Sequence, residues 1–98
     1  MGFNNAKSKV LNCLKAGAVL HEQRGNIDTK NLLATGEVTL DDVSEVIRRA
    51  RGNQHNASRH HVMEEVWVHT IKAVHAGSYW YIKWYFVEPN SVFISVHH

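Results

Sequence analysis

The segment 78–87, SYWYIKWYFV, constrains the fold most because a large apolar residue stands at every second position. A period of two is the period of side chains along a β-strand. Trp80, Ile82, Trp84 and Phe86 would therefore share one face, which predicts that this face is buried against the rest of the protein.

Two further segments predict strands on either side of it. They are 64–74, EEVWVHTIKAV, and 91–98, SVFISVHH. Gly77 with its small neighbours favours the first turn, and Glu88-Pro89-Asn90 favours the second. Three strands joined by hairpins predict an antiparallel meander.

The first half of the chain has a helical period. Val10, Cys13, Leu14 and Gly17 recur at i, i+3, i+4 and i+7, which places them on one face of a helix that Gly17 would end. Cys13 is expected to be a small buried apolar residue on this helix.

Two more helical segments follow. Segment 26–36 predicts a short helix or turn, with Asp28 as its cap and Gly36 at its end. Thr39 is the predicted N-cap of the clearest helix. The expected buried stripe of that helix is Val43, Val46, Ile47 and Ala50. Arginines at positions 48, 49 and 51, before Gly52, suit the negative end of the helix dipole.

Helices followed by strands predict an α+β fold, with N-terminal helices packed on one face of a small C-terminal antiparallel sheet. A chain of 98 residues predicts one domain, 1–98. It would comprise a helical half at 5–52, a polar loop rich in His and Arg at 53–63, and antiparallel strands at 64–98.

Composition narrows the function classes. A formal net charge of +2 permits an anionic partner, and a single cysteine excludes an internal disulfide. No run approaches the roughly 20 apolar residues of a membrane span, and the first residues lack the apolar core of a signal peptide. A cytoplasmic protein, a monomer or weak dimer without a membrane partner, is expected.

The alternation also predicts an open sheet face. Tyr79, Tyr81, Lys83 and Tyr85 lie opposite the apolar stripe of the middle strand. In the last strand, the predicted core residues are Val92, Ile94 and Val96, with Phe93, Ser95 and His97 on the other side. Matching the two apolar faces brings Tyr81, Lys83, Ser95 and His97 together, next to the loop that holds Arg59, His60 and His61.

At this point the sequence resembles the MqsR family of ribonuclease toxins. The resemblance runs from about Val10 to the end of the chain. Its most specific parts are Trp67, the hairpin from Gly77 to Tyr81-Ile82-Lys83, and the ending Ile94-Ser95-Val96-His97. It implies a compact fold related to RelE toxins, and a metal-independent endoribonuclease that cleaves mRNA and is neutralised by an antitoxin.

The resemblance also carries over individual positions. The family's catalytic tyrosine falls on Tyr81 and its C-terminal basic residue on His97. The family's lysine before the tryptophan falls in HNASRHH, where Arg59, His60 or His61 would substitute. The family can place a glutamine just after the tryptophan, where this chain has Val68. His69, one residue further on, is expected to be a core or edge histidine.

Metal-free RNA cleavage needs a base for the 2′-hydroxyl, an acid for the leaving oxygen and a cation for the charged phosphorane, and histidines suit the proton transfers. We expect His97 as acid or base, His60 or His61 as the second group, Tyr81 as a donor to phosphate and Lys83 as the cation. The substrate-contacting residues are expected to be Arg59, Lys72, Tyr79, Tyr85 and Ser95. RNA and a cognate antitoxin are the expected partners, ribosome involvement stays open, and no cofactor is expected.

Two other functions stay open. The same aromatic face would serve a non-catalytic module that binds RNA or inhibits another protein. A histidine metal site built from His60, His61, His69 and His97 ranks last, because no pair has the His-x-x-x-His spacing of one helix and no second cysteine is available.

Overall fold

The computed structural model describes residues 2–22 and 30–98. Within these ranges three α-helices cover Phe3–Ala16 (α1), Leu32–Thr35 (α2) and Leu40–Arg49 (α3), and a 3₁₀ turn covers Gly52–Gln54. The strands are Val19–His21 (β1), His55–Arg59 (β2), Trp67–His75 (β3), Ser78–Val87 (β4) and Asn90–His97 (β5). The predicted α+β class, with helices in the N-terminal half and most of the sheet in the C-terminal half, is confirmed.

The helix ends follow the local signals in the sequence. Gly17 ends α1 with a φ of 72°, a left-handed conformation that favours glycine. Thr39 caps α3 through a capping box, in which its side chain accepts from the Asp42 N–H and the Asp42 carboxylate accepts from the Thr39 N–H. Asn31 caps α2 by accepting from the Ala34 N–H, whereas the predicted cap Asp28 lies outside the described residues.

The helices bury their apolar faces on one face of the sheet. Val10 and Leu14 of α1 and the predicted stripe of α3 belong to this main core. The sheet contributes Ile71, Ala73, Trp80, Ile82, Trp84, Phe93 and Val96. The apolar face predicted for β4 is therefore confirmed, with Phe86 partly buried at its margin.

The sheet is larger than the predicted meander. Its strand order is β1-β5-β4-β3-β2, with β1 parallel to β5 and the other pairs antiparallel. The strand β2 lies inside the segment predicted as a loop. The sequence does not indicate this strand, because HNASR is an exposed edge strand without apolar alternation. With three residues, β1 is too short to show a period.

The predicted faces of β5 are wrong for three residues. Lys83 pairs with Ser95 but Trp84 pairs with Phe93, so Ile94 forms a bulge. Phe93 consequently lies in the main core, at ring distance 6.3 Å from Trp84, while Val92 and Ile94 lie on the opposite face. A bulge reverses the alternation beyond it, which strict period-two counting cannot anticipate.

The β2–β3 loop, residues 60–66, covers one end of the second sheet face. Met63 and Val66 of this loop pack on a small cluster of Val68, Tyr85, Val92 and Ile94. Tyr85, predicted to be open, is only 6% exposed for this reason. The helices do not cover the rest of this sheet face, which is called the open face below.

His69 is buried against the main core, in agreement with the prediction of a core or edge histidine. Its Nδ1 is 3.0 Å from Nε2 of His55, and its ring stacks on Trp84. Burial lowers the pKa of His69 to about 4, and the neighbouring His55 adds to the shift. No helix among the described residues is long and apolar enough to cross a membrane.

Candidate functional site

Two cross-strand rows of polar side chains define the open face. The first row comprises Lys72, Tyr81 and His97, which are direct partners across β3, β4 and β5. The second row comprises Asn56, Thr70, Lys83 and Ser95, which are direct partners across β2 to β5. Since cross-strand partners stand side by side on one face, the sheet holds both rows in fixed register.

The rings of Tyr81 and His97 stack at the centre of the first row. Their centroids are 5.0 Å apart and their planes differ by 13°. Burial lowers the pKa of His97, and the charges of Lys30 and His98 lower it further. A lowered pKa favours the neutral imidazole at pH 7, which is the form that accepts a proton.

The open face is cationic. Lys72 lies with its Nζ 5.9 Å from the centroid of the Tyr81 ring, and Lys83 follows Tyr81 two positions along the same strand. The strands β2, β3, β4 and β5 contain no aspartate or glutamate. Because no carboxylate competes on these strands, the two ammonium groups are available to an anionic ligand.

A groove of about 390 Å³ runs along the open face next to Tyr81. One wall consists of Lys72, Tyr81 and Lys83. The rest of its lining consists of polar residues, Asn53, Gln54, His55, Asn56, Ser58 and Thr70. Its volume lies in the range of small-ligand sites, so a single nucleotide could occupy it.

His60 has a structural role in the β2–β3 loop. Its Nδ1 accepts hydrogen bonds from the Val62 and Met63 backbone N–H groups, each at 3.1 Å. The proton therefore resides on Nε2, which lies 3.1 Å from a carboxylate oxygen of Glu22. The buried ring also packs edge-on against Tyr85. Because both ring nitrogens are engaged, His60 is poorly placed to exchange protons with a substrate.

His61 and Lys83 border a second, smaller pocket of about 120 Å³. His61 is exposed and stacks on His60 with a centroid distance of 5.0 Å. Lys83 also borders the main groove, so it links the two histidines of the loop to the Tyr81 row. Of the two loop histidines, His61 is thus the one available for chemistry.

Three other predicted contact residues occupy different places. The Arg59 guanidinium lies 4.1 Å from the centroid of Trp67 and donates to the Glu64 carbonyl. Arg59 borders the smaller pocket beside His61 and does not line the groove. Tyr79 is 60% exposed beyond Tyr81 and extends the open face. Tyr85 is buried beneath Met63 and Val66 of the β2–β3 loop and does not line the groove.

Some residues of the site carry no signal in the sequence. Asn56 and Ser58 fall in the segment predicted as a loop, and Thr70 stands among apolar residues of β3. Lys30 acts on His97 because Asn31 bridges to Val96 at the sheet edge. That bridge is a tertiary contact, and a sequence pattern does not reveal it.

Among residues 2–22 and 30–98, no group of three or more His, Cys, Asp or Glu side chains is placed to hold a metal ion. Neither a protein-family model nor a curated protein matches the sequence. The functional argument therefore depends on the side chains of the open face.

Proposed function

We propose that this protein is a metal-independent endoribonuclease that cleaves single-stranded RNA on the open face. The observation that carries the proposal is the Tyr81–His97 ring stack on strands without carboxylates, with Lys72 beside Tyr81 in the same row and Lys83 two positions along β4. A neutral imidazole, a phenol and two ammonium groups supply a base, a hydrogen-bond donor and cations at one location.

In the proposed reaction, His97 removes the proton of a 2′-hydroxyl. The 2′-oxygen then bonds to the adjacent phosphorus, and the bond from phosphorus to the 5′-oxygen breaks. Lys83 and the Tyr81 hydroxyl stabilise the negative charge on the phosphoryl oxygens. The leaving 5′-oxygen takes a proton from an acid, for which His61 and Tyr81 are the candidates, and the products are a 2′,3′-cyclic phosphate and a 5′-hydroxyl.

The resemblance to MqsR toxins supports the same proposal and extends it. Tyr81 and His97 are the positions on which that family's catalytic tyrosine and C-terminal basic residue fall. We accordingly propose a toxin that cleaves mRNA and is neutralised by a cognate antitoxin, with a cytoplasmic location.

One observation favours a second candidate, a non-catalytic module that binds RNA or protein. His60 uses both ring nitrogens inside the protein, which leaves His97 without a buried, fixed histidine partner. A sheet face with cations and aromatic rings but one poised imidazole would bind single strands without cutting them.

The test is cleavage of a single-stranded RNA by the purified protein in the presence of EDTA. His97→Ala and Tyr81→Phe are each expected to lower the rate by a factor of about 10² or more. His75→Ala, which removes a histidine at the end of β3, is the matched control and should leave the rate unchanged. RNA binding without cleavage would favour the second candidate.

A further inference from the structure

An exposed apolar pair stands on the open face, one row beyond the row of Lys72, Tyr81 and His97. Val74 and Tyr79 are direct cross-strand partners on β3 and β4, and their exposed fractions are 68% and 60%. Because side chains two positions apart on a strand share a face, Tyr79 lies on the same face as Tyr81. An apolar pair beside a cationic row suits a ligand that is apolar in one part and anionic in another.

The turn next to this pair fixes its position. Ala76 and Gly77 connect β3 to β4, and their φ angles are 51° and 81°. Two successive residues with positive φ make the two-residue turn that matches the twist of a hairpin. The pair His75 and Ser78 closes this turn, and Tyr79 follows directly. The tyrosine ring is therefore attached to a well-paired part of the sheet.

Of the two neighbouring tyrosines, Tyr79 has the ring that is open to a ligand. His97 stacks on the Tyr81 ring at a centroid distance of 5.0 Å. Lys72 approaches Tyr81 from the strand on the other side, with its Nζ 5.9 Å from the ring centroid. Among residues 2–22 and 30–98, no other ring stacks on Tyr79 and no cation lies over it. A base can therefore cover Tyr79 without displacing a side chain.

We propose that Tyr79, with Val74 beside it, is a base-stacking subsite for the nucleotide next to the phosphate at the Tyr81–His97 stack. This inference rests on the proposed function, since it assigns a flanking nucleotide of the same RNA. Two positions along a strand span about 6.6–6.8 Å, so the Tyr79 ring is one step along β4 from the proposed phosphate contacts.

The subsite positions single-stranded RNA along β4 and selects no sequence. Every base has a π-face, so an aromatic ring stacks on any unpaired base. A base inside a duplex is covered by its neighbours and does not present that face. The nucleotide thus places its base on the apolar pair and its phosphate on the cationic row.

The experiment separates the contribution of the bases from that of the phosphates, and it measures binding alone. One probe is a fluorescein-labelled 2′-O-methyl oligouridylate of about eight nucleotides, whose blocked 2′-oxygens prevent cleavage. The other is a labelled tetrahydrofuran phosphodiester of the same length, which keeps the phosphates and lacks every base. Fluorescence anisotropy at low salt gives the Kd of wild type, Tyr79→Ala and Tyr79→Phe for both probes. Val87→Ala, which shortens an exposed apolar side chain at the other end of β4, is the control.

Wild type is expected to bind the oligouridylate more tightly than the base-free chain. Tyr79→Ala should lose about fivefold or more on the oligouridylate and less than about twofold on the base-free chain, whereas Tyr79→Phe and Val87→Ala should stay within about twofold of wild type on both. Equal affinity of wild type for the two probes, equal losses of Tyr79→Ala on both, or no loss would overturn the subsite and leave RNA binding intact. Failure of wild type to bind either probe would instead overturn the proposed function, and the subsite with it.

Discussion

Replacing His69 by glutamine should reduce the loss in free energy of unfolding that the protein shows as the pH falls from 7 to 4. His69 is 2% exposed, lies between Trp84 and Phe86, and shares a hydrogen bond with His55. The core has no room to solvate a charged imidazole there, and burial is the main cause of the lowered pKa. Protonation must therefore disrupt this part of the core.

The pKa values give the magnitude of the effect. The pKa of His69 is about 4 in the folded protein against 6.5 ordinarily. Between these values the unfolded chain binds a proton that the folded chain excludes, so folding weakens as the pH falls. At about 1.4 kcal/mol per pH unit, the loss reaches about 3 kcal/mol near pH 4. That is a large part of a typical total of about 5–15 kcal/mol.

Urea unfolding followed by tryptophan fluorescence between pH 4 and pH 7 measures the effect. His69→Gln keeps a hydrogen-bonding group but never charges, so the difference in free energy of unfolding from wild type should shrink by about 3 kcal/mol over this range. His75→Gln, at a partly exposed histidine, is the control and should show a constant difference. Parallel curves for wild type and His69→Gln would refute the reasoning.

Three further predictions concern the site and the core. The kcat/KM of RNA cleavage should fall on the acid side with an apparent pKa below 6.5, because burial lowers the pKa of His97 and the base must be neutral; a pH–rate profile checks this. Lys72→Gln should lower the salt dependence of RNA binding by about one unit of slope, measured by titration at several salt concentrations. Phe93→Ala should cost about 3–5 kcal/mol in the free energy of unfolding, whereas Leu20→Ala, half exposed on β1, should cost less than about 0.5 kcal/mol. A small loss for Phe93→Ala would contradict its place in the main core.

The helices and the apolar face of β4 could be predicted because their signals are local. Thr39 with Asp42 forms a cap from neighbouring atoms, and Gly17 ends α1 through its own backbone conformation. The alternation of Trp80, Ile82 and Trp84 needs only the geometry of one strand.

The remainder of the fold depends on contacts between distant segments. Ile94 forms a bulge because β5 must pair with β4 on one side and contribute to the core on the other. Phe93 therefore lies on the face opposite to the one predicted for it. The strand β2 carries no apolar alternation, since it is an exposed edge held by pairing with β3.

Part of the site could be predicted from the alternation of side chains along the strands. Tyr81, Lys83, Ser95 and His97 follow from alternation and register, and the structure brings them together. The positions of Arg59 and His60 do not follow: Arg59 is the last residue of β2 and lies against its strand partner Trp67, while the β2–β3 loop directs His60 toward Glu22. The direction of a loop side chain depends on its tertiary contacts, so no periodicity in the sequence predicts it.

The most direct test of the proposed chemistry is the structure of the RNA ends left after incubation with the protein in EDTA. Mass spectrometry of the fragments should find 2′,3′-cyclic phosphates and 5′-hydroxyls with wild type, and intact RNA with His97→Ala. Intact RNA with wild type, 5′-phosphate ends, or the same fragments from both proteins would contradict a metal-free ribonuclease centred on His97.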